Sequence, residues 1–369
     1  MKNRILILDG FRALAIISVV LFHFFSRWTT PINDVSLYPY NNAYDFFSLG
    51  YLGVQFFFII SGFVIFFTLD NTKDFSSFWK KRLIRLIPSI FFASIITFTI
   101  FKIFDSQQLF PHSQEIKNFL PSISFISPVL LNDIFKGCYF NYINGSYWSL
   151  WPEIQFYIFS SLIFYFKKEK FLVNFLIISI SIIFIHYVLT TFQSRIIHLG
   201  FLSPTFFQTY KFWAKNELNL IIYLPFFSIG VLFYLLFKNN NLKLSTATFI
   251  KICFAVLILF AIYSGKSINI RIIYLLMFLL FFVFIYFPEK LKFFEHKVIT
   301  SIGGSSYFLY LIHENLGVFI IFSIGQYFMP LGFILPLMLI FIFILISNLY
   351  TSTLDKRMTT WLKNKILKR

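Results

Sequence analysis

Ten stretches of this 369-residue chain are apolar over about the length needed to cross a lipid bilayer, and no other feature limits its possible folds so severely. They fall at about residues 7–26, 49–69, 86–104, 148–166, 171–189, 219–237, 250–265, 271–288, 304–322 and 331–352. Backbone polar groups in hydrocarbon must be satisfied within the segment, so runs of this length read as helices. The expectation is an all-α fold: a polytopic transmembrane bundle of about ten helices. The pair covering residues 250–288 has a short connection centred on Gly265 and Lys266. A re-entrant hairpin there would leave the parity of the crossings unchanged.

Composition agrees. With 58% hydrophobic and 13% charged residues and a mean hydropathy of +0.77, a water-soluble globule of this size is excluded. Ten crossings consume roughly 200 residues at about 20 each, which leaves a single transmembrane domain over residues 1–352 and a short basic tail over 353–369. The net charge of +17 does not imply a nucleic-acid partner, because the basic residues lie in short clusters between apolar spans and not on one domain. Cys138 and Cys253 have neither metal-ligand nor redox spacing, so no metal site is expected. The N-terminal Met-Lys-Asn-Arg leads into an apolar stretch without a small-residue cleavage site, which reads as a retained first helix. The 57 Phe residues carry no functional message, since an Ile-, Lys- and Asn-rich composition also reflects nucleotide bias.

The distribution of Lys and Arg orients the chain. If the N-terminus is cytoplasmic, 22 of the 32 basic residues fall on inside segments, among them Lys2, Arg4, Lys81, Lys168, Lys243, Lys290 and Lys363. The positive-inside rule therefore puts both termini in the cytoplasm. Three longer connections, about residues 27–48, 105–147 and 190–218, then lie outside and are long enough to shape a mouth for an acceptor.

An ionisable side chain at mid-bilayer costs about 2.5–3.5 kcal/mol on insertion scales, so each one inside a span calls for a reason. The first helix carries Asp9, Arg12 and His23. Arg12 and His23 fall within roughly 20° of each other around the helix and about 16 Å apart along it. Asp9 and Arg12 could equally be an interfacial ion pair, with His23 near the outer headgroups. In the fourth expected helix Ser149 and Glu153 are four apart and share a face, and Glu153 and His23 can lie at the same depth. A carboxylate that accepts one imidazole N–H makes the other nitrogen a better base toward a hydroxyl. Glu153 near a helix start could also serve only as a cap or pairing group. The ninth helix aligns Ser306, Tyr310 and His313 on one face, with His313 near mid-membrane; packing is the alternative role for that histidine. Ser61 and Gly62 would permit close helix contact and nothing more. Lys81, Arg82 and Arg85 stand at the base of the third helix, where they either satisfy the positive-inside rule or grip a polyanion.

Taken in order, these motifs resemble the acyltransferase-3 family, the O-antigen-acetylase-like integral membrane acyltransferases of bacteria. The resemblance rests on Leu8-Asp-Gly-Phe-Arg-Ala-Leu-Ala15 with His23, Gly53-Val-Gln-Phe-Phe-Phe-Ile-Ile-Ser-Gly-Phe63, Lys81-Arg-Leu-Ile-Arg-Leu-Ile-Pro88, Trp148-Ser-Leu with Glu153 and Gln155-Phe-Tyr157, and Ser306-Tyr-Phe-Leu-Tyr310 with His313. Ile154 stands where many members have a second Glu, Pro152 precedes Glu153, and Glu314 follows His313 where Pro is frequent.

The resemblance implies transfer of an acyl group, commonly acetyl, from cytoplasmic acyl-CoA to a hydroxyl of a cell-surface or exported glycan, free or lipid-linked. It implies no bound cofactor, since acyl-CoA is the donor substrate, and a multi-pass protein of the bacterial inner membrane whose other partners are lipids. By position, His23 would be catalytic with Glu153, Arg12 and the row Lys81, Arg82 and Arg85 would engage the donor, and Asp9, Ser149, Tyr310 and His313 would support them. A stand-alone member is expected, without the soluble esterase-like domain of many relatives. Intramembrane ionisable residues also line transport pathways, so a transporter or flippase for a glycan or anionic metabolite is the competing expectation. A structural or receptor-like membrane protein is a third.

Overall fold

The computed structural model describes residues 5–27, 45–238, 244–329 and 331–367. Lys2, Arg4, Lys243 and residues 28–44 of the expected outer connection 27–48 therefore lie outside the described residues, as do the last two residues of the expected tail. Among the described residues all regular structure is helical, without strands. In order, α1 is Leu6–Phe25, α2 Gly53–Asp70, α3 Phe75–Phe104, α4 Phe119–Ser124, α5 Pro128–Ile134, α6 Leu150–Phe166, α7 Phe171–Thr191 and α8 Gln193–His198. There follow α9 at Pro204–Asn216, α10 at Leu220–Lys238, α11 at Leu244–Ser264, α12 at Ile268–Tyr286, α13 at Lys297–Ile324, α14 at Ile334–Tyr350 and α15 at Lys356–Ile366.

Every expected span is a helix. Eight helical stretches among the described residues are long and apolar enough to cross a membrane. The remaining two expected spans are α6, of 17 residues, and α11, whose apolar part is Ile250–Ser264. The residues 265–267 separate α11 from α12 as two distinct helices.

α11 and α13 begin six and seven residues before the expected 250 and 304, at Leu244 and Lys297, and two boundaries differ by more. The third helix begins at Phe75, eleven residues before the apolar run expected at 86. Asp74 caps it, accepting from the Ser77 N–H at 2.9 Å and the Ser77 hydroxyl at 2.8 Å. These two bonds hold the Asp74 carboxyl below its ordinary range. Lys, Arg and Leu are good helix formers, so the basic row continues the helix that the apolar stretch begins. The expected tail is also helical: a π-helical turn at Thr351–Asp355 joins α14 to α15.

The described chain divides into two compact units. Met1–Val54, Trp79–Trp148 and Glu289–Arg369 form one; Gln55–Phe78 and Ser149–Pro288 form the other. In the first, α1 runs along α13, and α13 along α14. Small residues set the approach of α1 and α13. A Cβ on Gly303 would run into the backbone of Asp9, and one on Gly10 would stand 2.7 Å from the carbonyl oxygen of Phe294. Aromatic contacts fill the rest: Phe11 meets Phe294 edge-on at 5.3 Å between centroids, and Phe308 stacks on Tyr350 at 3.8 Å.

The connection after α3 belongs to this unit and is tied down by its own polar side chains. Asp105 accepts from the N–H groups of Leu109 and Phe110 at 2.9 and 2.8 Å. Asn118 accepts from the Asn141 N–H at 2.8 Å, and Ser122 from the Ile143 N–H at 3.0 Å. These bonds deliver residues 143–146 to the side of α13.

In the second unit α10 is packed by α6, α7, α11 and α12. Gly62 of α2 and Gly230 of α10 interlock: a Cβ on the first would strike the Phe227 carbonyl, and one on the second the Ile59 carbonyl. Phe156 stacks on Phe227 at 4.3 Å and Phe233 on Phe281 at 4.7 Å. Asp70 at the end of α2 pairs with Lys238 and accepts from the Tyr234 hydroxyl at 3.0 Å.

Candidate functional site

The polar residues of α1 separate into two groups. Near its start, the Arg12 guanidinium donates to Asp9 at 2.7 Å, and the Asp9 side chain is 3% exposed. The ion pair that competed with a functional reading of Arg12 is therefore formed. Near the end of α1, His23 is enclosed by groups from α13. Its Nδ1 stands 3.3 Å from Oε1 of Glu314, with side-chain exposures of 12% and 7%. This is an ion-pair distance without the alignment of a hydrogen bond. The His313 ring approaches edge-on, with centroids 5.0 Å apart and planes at 74°.

His313 and His23 are thus at one level, although their positions in sequence suggest mid-membrane for one and the outer edge for the other. His313 is fully buried. Its Nδ1 lies 2.8 Å from the Tyr310 carbonyl oxygen, which can only accept, so Nδ1 carries the proton of the neutral ring and Nε2 the lone pair. Nε2 is buried and meets no hydrogen-bond partner among the described residues. A buried nitrogen left without a partner calls for an explanation, since nearly all such atoms are hydrogen-bonded.

Tyr310 and the turn at 143–146 surround this cluster. The Tyr310 hydroxyl donates to the Ser146 carbonyl at 2.9 Å, and the Ser146 hydroxyl donates to the Tyr310 carbonyl at 3.0 Å. Asn144 donates to the Leu311 carbonyl at 3.0 Å, and the Gly145 N–H donates to Asn315 Oδ1 at 3.2 Å. Asn315 in turn donates to the Ser113 hydroxyl at 3.0 Å. Ser306, on the same helix, donates to the Gly303 carbonyl at 2.8 Å. Tyr310 and His313 therefore belong to one hydrogen-bonded structure, whereas Ser306 bonds its own helix.

The basic row lies within α3. Lys81 and Arg85 are exposed and four residues apart, so they share a face; Arg82 between them is buried at 5% exposure. Only Lys81 and Arg85 therefore present their charges to solvent.

Glu153 and Ser149 belong to the second unit. Glu153 accepts from the Ser61 hydroxyl at 2.9 Å and is also hydrogen-bonded by Tyr157. Ser61 thus does more than allow helices to approach. Ser149 occupies the N-cap position of α6, and its side chain makes no capping bond. The carboxylate beside His23 within its own unit is Glu314, a residue the sequence reading treated only as a departure from a pattern. The insertion cost that singles out His313 applies equally to its neighbour, so a signal for Glu314 was present. No comparable signal marks Gly145, whose importance depends on where the turn docks.

A family model described as an acyltransferase domain matches residues 5–354. The O-acetyltransferase OatA of Staphylococcus aureus is 25% identical over 349 residues, covering 85% of this chain and 50% of the relative. ORF330 of Acidianus two-tailed virus, whose name places it among acetyltransferases, is 24% identical over 322 residues, covering 83% of each. The chain spans about half the length of the OatA relatives it matches. No solved structure matches it.

Proposed function

We propose, from the premise that the chain belongs to the acyltransferase family that matches it over residues 5–354, that it moves an acetyl or related acyl group from acyl-CoA to a hydroxyl of an exported or cell-surface glycan. The carrying observation is the largely enclosed imidazole of His23 at the end of a spanning helix, with an acid and a second histidine against it. Such an arrangement is costly in a membrane protein and suits proton transfer.

In this reading His23 presents Nε2 to the acceptor hydroxyl, because Nδ1 is the nitrogen beside the Glu314 carboxylate, 3.3 Å from Oε1. The hydroxyl proton passes to Nε2 as its oxygen attacks the thioester carbonyl. The C–S bond then breaks, and the departing CoA thiolate recovers the proton from the imidazolium. A transient acyl-imidazole would use the same nitrogen. The exposed charges of Lys81 and Arg85 suit the phosphates of the donor, with Arg12 farther along α1. Glu153, held by Ser61 and Tyr157, is assigned a role in the same reaction. The cell membrane of a bacterium, with both termini in the cytoplasm, is the matching location.

The test is acyl transfer from radiolabelled acetyl-CoA by the protein in bacterial membranes. His23→Ala is expected to lower the rate by at least about 100-fold at an unchanged membrane level; full activity would remove His23 from the chemistry. Mass spectrometry of surface glycans from cells with and without the gene identifies the acceptor.

A further inference from the structure

We infer that Glu314 is the positioning residue for His23, and that Gly145 is the position whose missing side chain gives the carboxylate its place. The inference rests on the acyltransfer reading and deepens it.

Two observations converge on Glu314. Its side chain is nearly enclosed, at 7% exposure, and its Oε1 lies 3.3 Å from His23 Nδ1. A carboxylate there bears a large desolvation cost, which an imidazole that becomes cationic during the reaction offsets. Independently, the backbone around it is shaped to that carboxylate. A Cβ on Gly145 would sit 2.9 Å from Glu314 Oε1 and 3.0 Å from Cδ, so a residue with a side chain at 145 would displace the acid.

Gly145 cannot simply retreat. Asn315, the next residue after Glu314, accepts its N–H. Asn144 and Ser146, on either side of it, donate to the carbonyls of Leu311 and Tyr310 on the same helix. The turn is therefore fastened to α13 on both sides of the carboxylate. His313 packs against His23, so the His23 ring is held between an acid and a second imidazole. The 3.3 Å contact shortens into an aligned hydrogen bond when substrate closes the site, since such bonds are commonly long in the unliganded protein. Glu314 touches no reacting atom: it fixes the His23 ring and the tautomer that leaves Nε2 as the base.

The experiment uses the full-length protein in proteoliposomes with acetyl-CoA as donor. Glu314→Gln keeps the shape and removes the charge. It is expected to lower kcat about 10- to 100-fold while the KM for acetyl-CoA changes less than about twofold. Because Glu314 acts through His23, the double variant His23→Ala/Glu314→Gln should be no slower than His23→Ala alone.

Gly145→Ala retains the acid but displaces it, and should lower kcat with the same sparing of KM. It also decides the matter if Glu314→Gln fails to fold. Wild-type kcat in either folded variant, or losses that multiply in the double variant, would overturn the inference and leave the acyltransfer reading intact. A wild-type protein that transfers no acyl group while binding acetyl-CoA would overturn both.

Discussion

Arg82 and Arg85, three residues apart on α3, differ in what their charge can reach. Arg85 is exposed and Arg82 is 5% exposed, so the two should respond differently to the same substitution. Arg85→Ala is expected to raise the KM for acyl-CoA about tenfold, the equivalent of one charge-assisted hydrogen bond, with little change in kcat. Arg82→Ala should instead lower the thermal stability of the detergent-solubilised protein, because it empties a buried site. Equal effects on KM from both would mean that the row grips the donor as a single cluster. The sequence identified the row but not this division, since helical spacing defines faces without saying which face is covered. It likewise raised both readings of Arg12, and the pair with Asp9 is formed. His23 was legible from cost alone, whereas its carboxylate neighbour was not: Glu314 and His23 are far apart in sequence, and only the packing of α1 on α13 makes them neighbours.

The helices themselves were the most legible level, because a spanning helix is written in about twenty consecutive residues. All ten expected spans are helical, and the two largest boundary differences share one cause. Charged residues end an apolar run without ending a helix, so α3 extends back to Phe75 and α15 continues from α14 beyond the π turn. What hydropathy does not record is how closely two helices approach. The contact of Gly303 with the Asp9 backbone requires the absence of a side chain. Gly303→Ala should therefore force α1 and α13 apart at a cost of about 1–3 kcal/mol, the range for overpacking a filled interior. The expected readouts are a lower unfolding temperature in detergent and weaker acyl transfer, since both histidines ride on these helices. An unchanged melting profile would mean that the two helices can separate there without loss.

At the scale of the whole molecule, charge asymmetry makes a prediction that needs no side-chain geometry. A C-terminal reporter that is active only in the cytoplasm should be active on the intact chain, and its partner active only outside should be silent. The reverse result would invert the assignment of sides to the three longer connections. Two of these connections carry short helices, α4 and α5 in one and α8 and α9 in the other. α4, α5 and α8, of six or seven residues, are too short to carry an apolar period, and α9, at 13 residues, is too polar and too short to stand out as a span. The turn at 143–146 lies at the end of such a connection. That is why the surroundings of Glu314 could not be anticipated: the relevant bonds are tertiary, and each polar side chain involved would look unremarkable on a loop.

The backbone-to-backbone seam between Gly303 and Asp9 has a bioenergetic consequence. A bundle that places histidines and acids within its spans must not become a proton leak. Where two main chains touch without intervening side chains, no file of water can run between them. At that level of the contact between α1 and α13 there is no room for a water, so a water file along the seam is interrupted there by the main chains themselves.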